Sequence, residues 1–505
     1  MKKLLTEVLG DIEYTVVGDV DITNIFIDDV CPDSRKVADG DMFVCVVGDM
    51  SDGHSYAEAA YKKGCRVFLC QRIPDGKIGD DAVFIITRDT RRAMASVCAA
   101  FYGYPAKKLR IIGITGTKGK TTVAYLIYQI LISQGKNAAY IGSNGIEYDN
   151  TLYSSANTTP DSYVLHYYFE KMLVAGVEFV VMEVSSQSVF TYRISGIEFE
   201  TVAFTNLAPD HIGKGEHPTF EHYKNCKRAV FYNYHAKNMV YNIDDEAAEY
   251  MVNPALDLYP ISLHGRGVFN AEDIEIYKES GVLGIKFKMK SDSAEYETRV
   301  RSAGEFSAYN AMMAIVCAKL CGVNIADSVK ALSSLSVSGR FECVDIFSDR
   351  TFVVDYAHNG FSLSNVITAL RAYPHNRLIC LLGSVGGRTV VRRRDLGNVA
   401  SSMCDYCIIT SDNPDNEDPY DIMRDIEQSF KKKGSCDYVM ISDREEAIKY
   451  AVYISKPGDI VLLAGKGHEN YQVIKGVRHS FSEKKILREA KKLYDKGSLK
   501  VKVEM

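Results

Sequence analysis

A short glycine-rich segment of this chain has the residue types and spacing of a phosphate-binding loop. It runs from Gly116 to Thr122 as Gly-Thr-Lys-Gly-Lys-Thr-Thr, between an apolar run, Leu109 to Ile114, and apolar residues at helical spacing. In a strand, loop and helix in this order, backbone N–H groups and the helix N-terminus point at one spot, where a phosphate chain fits. Lys120 would reach the terminal phosphates and Thr121 would ligate Mg²⁺. The segment therefore predicts a nucleoside triphosphate site.

Charged residues follow two later apolar runs, where strands would end. Glu183 lies at the end of the run 177–184, and a carboxylate beside a phosphate loop is a typical Mg²⁺ ligand or water holder. Asp210-His211 follows the run 202–204, and Lys227 lies in a helical segment further on. Taken alone, Asp210-His211 and Lys227 favour a simpler interpretation, an ordinary turn and the solvated face of a helix.

Alternating strands and helices would position these residues. Apolar runs alternate with helical stretches from about residue 106, and a second series follows Gly339-Arg340, a pattern typical of mostly parallel α/β sheets. We therefore expect three α/β domains: an N-terminal domain at 1–105, a central P-loop domain with a parallel sheet at 106–338, and a C-terminal Rossmann-like domain at 339–505. Ligands of such sheets lie at the carboxyl ends of the strands.

The composition indicates a soluble protein of several domains. A chain of 505 residues is too long for one core, and the net charge of −5 gives no electrostatic reason for a nucleic-acid partner. The thirteen cysteines are scattered, and the one C-x-x-C pair, Cys404 and Cys407, begins an apolar run, so we expect buried thiols. Reduced cysteines favour the cytoplasm. Glu7 and Asp11 interrupt any signal peptide, and no run is long enough to insert into a membrane.

The order of motifs along nearly the whole chain resembles that of the Mur ligases. The motifs are the loop 116–122, Asn157-Thr158-Thr159, Glu183-Val184-Ser185-Ser186, Asp210-His211, Lys227, Asn310, Gly339-Arg340, Asp355-Tyr356-Ala357-His358, Asp412-Asn413-Pro414 and Gly465-Lys466-Gly467-His468-Glu469. Asp33-Ser34-Arg35, with Gly48 and Asp52-Gly53-His54, is similar to the family's uridine-nucleotide domain. The last two motifs resemble the branch that adds the third amino acid of the peptidoglycan precursor.

The resemblance implies an ATP-dependent amide ligase of cell-wall synthesis, hence of cell shape and division. ATP would phosphorylate the D-glutamate γ-carboxylate of UDP-N-acetylmuramoyl-L-Ala-D-Glu (UDP-MurNAc-L-Ala-D-Glu). The amine of an incoming amino acid would then attack the acyl phosphate, releasing phosphate. The implied cofactors are ATP, two Mg²⁺ ions and a carbamylated Lys227. The implied partners are small molecules only, and the resemblance implies a cytoplasmic monomer.

The resemblance also implies a role for each matching residue. The catalytic residues would be Lys120, Glu183, His211, Lys227 and Arg340. The metal ligands would be Thr121, Glu183, His211 and Lys227 as its carbamate, an anion where a cation would be unfavourable beside two metal ions. ATP would contact Gly116, Thr117, Lys118, Gly119, Lys120, Thr121, Thr122, Asn310, Asp355 and His358. The UDP-MurNAc-dipeptide would contact Ser34, Asn157, Thr158, Thr159, Ser185 and Arg193, the last by clamping a carboxylate.

The incoming amino acid would be bound by Arg388, Asp412, Asn413, Asp415, Gly465 and Glu469. Arg388 would bind its carboxylate, and Glu469 would accept a hydrogen bond from an ammonium group. Family members that add meso-diaminopimelate have Asp-Asn-Pro-Arg, in which the arginine holds the distal carboxylate, whereas this chain has Asp415 there. An aspartate repels a carboxylate and attracts an ammonium, which favours L-lysine or ornithine over meso-diaminopimelate. Alternatively, Asp415 faces solvent and one of the arginines 392–394 binds the distal carboxylate.

Other interpretations remain open. Gln187, Gly213 and Asn359 depart from the family pattern, which leaves a divergent Mur-ligase paralogue acting on a related substrate. A related ligase that extends folate is disfavoured by the motif at residues 33–35. A P-loop ATPase acting as a switch would hydrolyse ATP without an acceptor amine, whereas a ligase would release phosphate only with both substrates present.

Overall fold

The structure is a computed structural model that describes residues 2–18, 20–48, 51–213, 215–291, 294–387, 389–432 and 436–501. The chain packs into two compact units. The first contains residues 1–262, 266–268 and 313–325, and the second contains residues 263–265, 269–312 and 326–505. The predicted boundaries at residues 105 and 338 stay predictions. Among the described helices, none has the length and apolar character needed to cross a membrane.

The N-terminal part of the first unit is a small α/β layer. Its strands are β1 (Lys3–Leu4), β2 (Thr15–Val17), β3 (Phe26–Ile27), β4 (Val30–Cys31), β5 (Met42–Val44), β6 (Val67–Cys70) and β7 (Val83–Ile86), and its helices are α1 (Leu5–Val8), α2 (Ala57–Lys62) and α3 (Thr90–Phe101). The order β2-β7-β6-β5-β4 is parallel except for β2. Asp89 caps helix α3, since its carboxylate accepts from the N–H groups of Arg91 and Arg92, and the helix buries Val97 and Phe101 in the core.

The rest of the first unit is built on a larger sheet. Its strands are β8 (Arg110–Thr115), β9 (Ala138–Gly142), β10 (Gly145–Tyr148), β11 (Thr151–Tyr153), β12 (Phe179–Glu183), β13 (Phe199–Phe204), β14 (Ala236–Asn242) and β15 (Asp257–Ser262), and its helices are α4 (Lys120–Ser133), α5 (Ser162–Val174), α6 (Ser186–Phe190), α7 (Phe220–Tyr232) and α8 (Ala248–Met251). Strands β9-β12-β8-β13-β14-β15 are parallel neighbours in that order. Strand β8 therefore lies between β12 and β13.

Helix α4 shows how the sequence places the phosphate loop. Val123, Ile127 and Ile130 follow helical spacing and are fully buried against the sheet. The helix ends at Ser133, and Gly135 takes the left-handed conformation (φ 69°) that a glycine just past a helix end favours. The loop between β8 and α4 is thereby held at the carboxyl end of the sheet.

The second unit contains a second α/β layer. Strands β16 (Phe269–Glu279), β17 (Val282–Ser291) and β18 (Ala294–Val300) form antiparallel pairs. Helix α9 (Phe306–Leu320) begins in the second unit and belongs to the first unit from Met313 onward, and α10 (Ile325–Leu332) returns to the second unit at Ala326. Next come the strands β19 (Glu342–Val344), β20 (Thr351–Asp355), β21 (Leu378–Leu382), β22 (Tyr406–Ile409), β23 (Asp437–Met440), β24 (Ile460–Ala464), β25 (Tyr471–Ile474) and β26 (Val477–Ser480), and the helices α11 (Gly360–Arg371), α12 (Val390–Met403), α13 (Pro419–Glu427), α14 (Arg444–Ile454) and α15 (Glu483–Asp495).

The order β19-β20-β24-β21-β22-β23 gives this layer a core on each face. Strand β20 alternates, since Val353 joins one apolar cluster while Phe352 and Val354 join the other. Helices α11 to α13 contribute to the first cluster, and α14 and α15 contribute to the second. This doubly covered sheet, parallel except for the edge strand β19, confirms the predicted Rossmann-like class. Cys404 and Cys407 are buried within it, as expected.

Candidate active site

The phosphate loop is held in shape by glycine and by the end of the neighbouring strand β13. Gly116 has φ 144°, and a Cβ there would overlap Thr205 Oγ1. Thr205 Oγ1 donates to Lys118 O at 2.6 Å, and Asn206 accepts from the N–H groups of Thr117 at 2.8 Å and of Lys118 at 2.9 Å. Sequence reasoning gave Thr205 and Asn206 no role. Their one signal was their position directly after a predicted strand.

Two lysines meet at one carbonyl of this loop. Lys120 Nζ donates to Gly116 O at 2.9 Å and to Thr117 O at 3.0 Å, and Lys227 Nζ donates to Gly116 O at 2.6 Å. Lys227 is 1% exposed. Burial, followed by the positive charge of Lys120, holds the pKa of Lys227 well below its ordinary value. The arrangement therefore favours a neutral Lys227 amine beside the loop.

Glu183 lies at the end of β12, against the first turn of α4. Its Oε2 accepts from Thr121 Oγ1 at 3.0 Å, and its Oε1 accepts from Tyr140 Oη and the Ser143 N–H, both at 2.8 Å. The side chain is buried, with one oxygen directed at Thr121. Carboxylate and hydroxyl oxygens are the ligands that Mg²⁺ prefers, so this pair fits that cation. Tyr140 and Ser143 carry no motif, and sequence reasoning missed them.

Residues predicted to hold the muramoyl dipeptide surround the backbone of Glu183. Thr159 Oγ1 donates to Glu183 O at 2.8 Å and accepts from the Ser185 N–H at 3.0 Å. Thr158 Oγ1 lies 3.0 Å from Ser143 Oγ, and Arg193 Nη1 donates to Thr159 O at 3.0 Å. Arg193 is half-buried, and burial lowers the pKa of its guanidinium. The site therefore offers a partly desolvated positive charge beside several hydroxyl groups.

His211 and Asn157 lie in exposed segments of the first unit. His211 adopts φ 56°, and its Nδ1 lies 3.2 Å from Glu216 Oε1. The preceding Asp210 pairs with Lys118, 3.0 Å from Oδ2 to Nζ. Asn157 is exposed, and its carbonyl accepts from Ser155 Oγ at 2.6 Å. These contacts hold the two segments in place, and the predicted contacts of His211 with metal and of Asn157 with substrate stay predictions.

Ser34 lies in a turn that internal ion pairs stabilise. Asp33 accepts from Arg35 Nε and Nη2 at 2.9 and 3.0 Å, and this lowers the pKa of Asp33 to about 2. Ser34 O accepts from Lys63 Nζ at 2.9 Å. Further along, buried His54 lies between Asp52 and the N–H of Gln71, with distances of 2.6 and 3.0 Å from its two ring nitrogens. The Asp52-Gly53-His54 motif therefore stabilises the N-terminal fold.

In the second unit, a buried lysine joins two predicted amino-acid-binding motifs. Lys466 Nζ donates to Asn413 Oδ1 at 3.0 Å and to Glu469 Oε2 at 2.9 Å, and it lies 3.4 Å from Asp412 Oδ1. Asn413 Nδ2 also donates to Glu469 Oε2 at 2.9 Å. Gly465 has φ 110°, and a Cβ there would lie 2.8 Å from Asp412 Oδ2. Sequence reasoning quoted Lys466 within its motif but gave it no role.

The Gly339-Arg340 turn and the end of β20 form a second cluster of predicted residues in this unit. Gly339 has φ 66°, and a Cβ there would overlap the His468 backbone nitrogen. The Arg340 guanidinium lies 4.6 Å from the centre of the Tyr356 ring. Asp355 Oδ2 accepts from the Phe341 N–H at 2.7 Å, and His358 Nδ1 donates to Tyr356 O at 2.9 Å.

Asp415 and the arginines proposed to bind a distal carboxylate belong to the second unit. Asp415 is exposed with φ 54°, and its backbone bonds Val473 and Lys475. Arg393 is buried and paired with Glu417 and Asp425. Arg392 donates to His358 O. Arg388 lies outside the described residues.

Two further residues were predicted to contact ATP. Thr122 is in the first turn of α4, and Asn310 is buried in α9.

Comparisons with known proteins agree with this geometry. Three family models match in chain order: "Mur ligase family, catalytic domain" over residues 27–102, "Mur ligase middle domain" over 114–318 and "Mur ligase, glutamate ligase domain" over 339–467. These matches confirm the three-part α/β class predicted from the sequence.

Two curated relatives cover almost the whole chain, and both are named UDP-N-acetylmuramoyl-L-alanyl-D-glutamate--2,6-diaminopimelate ligase. The relative from Clostridium perfringens is 35% identical over 495 residues, 96% of this chain and 98% of its own length. The relative from Geobacillus thermodenitrificans is 36% identical over 471 residues, 91% and 94%. Their names do not support the lysine preference predicted from Asp415.

Solved structures give the same fold. A structure with the same ligase name has a TM-score of 0.68 and 29% identity, and the match covers 98% of this chain and all of the other. MurF from Thermotoga maritima in complex with ADP has a TM-score of 0.61 at 17% identity, covering 93% and 98%, which shows the fold alone.

Proposed function

The chain belongs to the Mur ligase family, and on that premise we propose that it uses ATP to join a diamino acid to UDP-MurNAc-L-Ala-D-Glu. The observation that carries this proposal is the cluster at the phosphate loop. There Lys120 and buried Lys227 share the Gly116 carbonyl, and buried Glu183 is hydrogen-bonded to Thr121. The relatives' names supply the substrate class, and the hydroxyl and guanidinium groups of Thr158, Thr159, Ser185 and Arg193 suit a substrate that carries carboxylates.

The reaction needs charge neutralisation and positioning more than covalent help from the protein. A carboxylate oxygen of the D-glutamyl side chain attacks the γ-phosphorus of ATP, and ADP leaves. The amine nitrogen of the diamino acid then attacks the acyl carbon, the C–O bond to phosphate breaks, and the nitrogen loses a proton. Lys120 compensates the charge of the transferred phosphoryl group, and Arg193 orients the acceptor through its carboxylate.

Mg²⁺ fits the donors at the end of β12. Thr121 Oγ1 and Glu183 Oε2 would hold one ion, and His211 with a carbamylated Lys227 completes the proposed ligand set. When bound, Mg²⁺ neutralises phosphate charge. The lowered pKa of Lys227 supports carbamylation, since it is the neutral amine that adds to carbon dioxide, releasing a proton. Burial of Lys227 thus favours the neutral amine, which is the form that reacts with carbon dioxide.

2,6-Diaminopimelate is the first candidate for the added amino acid, because the relatives that cover almost the whole chain are named for it. L-Lysine is the second candidate, and one observation favours it. Asp415 is exposed at the turn where an arginine would meet a distal carboxylate, and the nearby Arg393 is already neutralised by Glu417 and Asp425. The negative charge of Asp415 at this turn suits an ammonium group better than a carboxylate.

A phosphate-release assay tests both the proposed ligase reaction and the proposed amino-acid substrate. The purified protein is incubated with ATP, Mg²⁺, UDP-MurNAc-L-Ala-D-Glu and one amino acid from a panel that includes meso-diaminopimelate, L-lysine and L-ornithine, and the product is weighed by mass spectrometry. We expect phosphate release only when both acceptor and amine are present, and none from Lys120→Met. Phosphate release without an amine would instead indicate an ATPase switch, and inertness towards this UDP-dipeptide with every amine would indicate a paralogue with another substrate.

A further inference from the structure

Three side chains with metal-binding atoms lie together in the first unit, and the proposed ligase reaction uses none of them. They are His217, His222 and Cys226, whose ligand atoms all lie within 4.8 Å of one another. His217 Nδ1 is 2.9 Å from His222 Nδ1, and Cys226 Sγ is 3.8 Å from the same His222 atom. Two imidazoles and a thiol converging in this way form a donor set different from the oxygen donors proposed for Mg²⁺.

The local sequence explains why these side chains converge. Thr219 caps α7 by accepting from the His222 N–H at 3.1 Å, which starts the helix at Phe220. His222 and Cys226 are four residues apart on this helix and therefore share one face. His217 lies in the segment before the cap and turns its ring to the same face. His217 and Cys226 are buried while His222 is half-buried, so the cluster has one side nearer to solvent.

Two of the three separations among these donor atoms are close to those of a tetrahedral zinc site. With Zn–N and Zn–S bonds of usual length, adjacent nitrogens are ~3.3 Å apart and a nitrogen and a sulfur are ~3.6 Å apart. The observed 2.9 and 3.8 Å differ from these separations by a few tenths of an ångström. Thiolate and imidazole are ligands that Zn²⁺ accepts readily, whereas Mg²⁺ prefers oxygen. The donor set therefore selects a zinc-like cation over the magnesium of the ligase reaction.

A neighbouring hydroxyl supports this arrangement. His217 Nε2 lies 2.8 Å from Ser186 Oγ. When Nδ1 binds a cation, the ring proton resides on Nε2, which can then donate to Ser186 and fix the ring orientation, as the outer partners of metal-bound histidines commonly do. The Phe190 ring packs edge-on against His222, with centroids 4.8 Å apart, and shields the cluster on one side.

We propose that His217, His222 and Cys226 bind one Zn²⁺-class cation through two Nδ1 atoms and a thiolate, with a fourth position open to water. This site is additional to the proposed ligase chemistry. Because Cys226 directly precedes Lys227 on α7, a cation here would also fix the part of the helix that carries the lysine.

Cobalt(II) is the probe for the test, since a cobalt–thiolate bond gives an intense charge-transfer absorption band. The full chain is stripped of metals, exchanged into buffer with reductant and millimolar Mg²⁺, and titrated with Co²⁺ and then with Zn²⁺. We expect one equivalent of Co²⁺ to produce the band and Zn²⁺ to abolish it. Cys226→Ser should lose the band, and His222→Asn should weaken Co²⁺ binding at least tenfold.

Matched control variants test whether the cobalt–thiolate band comes from this cluster. Cys343→Ser removes a half-buried thiol elsewhere, and His235→Asn removes an exposed histidine of the first unit; both should titrate like the unaltered protein. Circular dichroism and melting temperature check that every variant is folded. Absence of a charge-transfer band in the unaltered protein would overturn the proposal. So would a band that persists in both Cys226→Ser and His222→Asn.

Discussion

At the scale of single residues, Lys227 has the least ordinary environment among the proposed catalytic groups. Its amine is buried, donates to one carbonyl and lies close to a second lysine that donates to the same atom. A protonated amine there is desolvated and repelled, which is why its pKa falls. The protein keeps a costly side chain at this position, and the proposed carbamate gives a chemical reason, because it converts the amine into a metal ligand.

Replacing Lys227 with methionine should stabilise the ligand-free protein. In buffer free of carbon dioxide at pH 7, we expect Lys227→Met to raise the free energy of unfolding by about 1–4 kcal/mol, because folding removes the proton from an amine that is charged in the unfolded chain, at about 1.4 kcal/mol per unit of pKa lowering. The folded pKa is below the unfolded value of about 10.4, so the unfolded state binds more protons between the two, and the stability of the unaltered protein rises with pH there. The gain should therefore shrink as the pH approaches 10.

Differential scanning fluorimetry across pH, with ligase assays in parallel, measures this effect. Lys237→Met, at an exposed position in β14, is the control and should leave both the melting temperature and the activity unchanged. Lys227→Met should lose ligase activity by at least two orders of magnitude. A variant less stable than the unaltered protein at pH 7 would mean that burying the Lys227 amine does not destabilise the folded protein.

Asp415 carries the prediction about the added amino acid. Asp415→Arg replaces a negative charge by a positive one at an exposed turn, so it should favour a substrate with a distal carboxylate. We expect the kcat/KM ratio of meso-diaminopimelate to L-lysine to rise about tenfold, equivalent to ~1.4 kcal/mol. Asn416→Arg places the same charge one position further along and should leave this ratio within twofold. Equal shifts in the two variants would show that Asp415 does not face the substrate.

At the scale of elements, the order β12-β8-β13 brings the phosphate loop and its partners together. Parallel register pairs Glu183 with Ile114 and Phe204 with Thr115, so all three strands end at the same level. The carboxylate of β12 then meets α4 on one side of the loop, and Thr205 with Asn206 meets it on the other. The geometry of the loop thus depends on its two neighbouring strands as much as on its own glycines.

Gly116→Ala should disrupt this loop. The added Cβ would overlap Thr205 Oγ1, and φ 144° is unfavourable for alanine, so the loop must move away from β13. We expect ATP affinity to fall at least tenfold and stability to fall by about 1–3 kcal/mol. Gly135→Ala is the matched control, because it also has a positive φ but its Cβ would meet open space.

Calorimetric ATP titration and thermal melting compare these two variants. Gly135→Ala should lose about 1 kcal/mol or less and retain its ATP affinity. If Gly116→Ala bound ATP as tightly as Gly135→Ala, the close approach to Thr205 would not shape the nucleotide site.

The parts of the fold that the sequence predicted are those with strong local patterns. Strand β8 is shifted by one residue at each end from the apolar run Leu109 to Ile114, and β13 ends where the run 202–204 ends, because continuous apolar runs mark buried parallel strands. The contacts around Glu183 could not be predicted. Tyr140 and Ser143 are neutral residues without a motif, and their contact with Glu183 follows from β9 lying beside β12, a strand order that no local pattern specifies.

The same limit applies to the cluster around α7. Cys226 is one of the scattered cysteines that the sequence predicts to be buried thiols, and it is buried. Helical spacing alone also predicts that His222 lies next to Cys226, since residues four apart share a face of the helix. His217 precedes the helix and joins them through the path of the chain before Thr219, which only the structure shows.

At the scale of the whole molecule, the proposed phosphate loop and the proposed amino-acid motifs belong to different compact units. The phosphate loop is in the first unit, and the Lys466 network with Asn413 and Glu469 is in the second. A ligase requires both the loop and this network, whereas an ATPase switch does not require the network. Changes in the network should therefore separate amino-acid use from nucleotide binding.

Glu469→Gln tests this separation with little change in shape. The amide can still accept from Lys466 or Asn413, but the charge that would attract an ammonium group is lost. We expect the KM for the amino acid to rise at least tenfold, while the calorimetric Kd for ATP and the KM for the UDP-dipeptide stay within twofold. Glu427→Gln, which neutralises a carboxylate paired with Lys431 in the same unit, should change none of the three. A weakened ATP affinity in Glu469→Gln would assign this network to nucleotide binding instead, because a group that meets only the amine has no means of altering the binding of ATP alone.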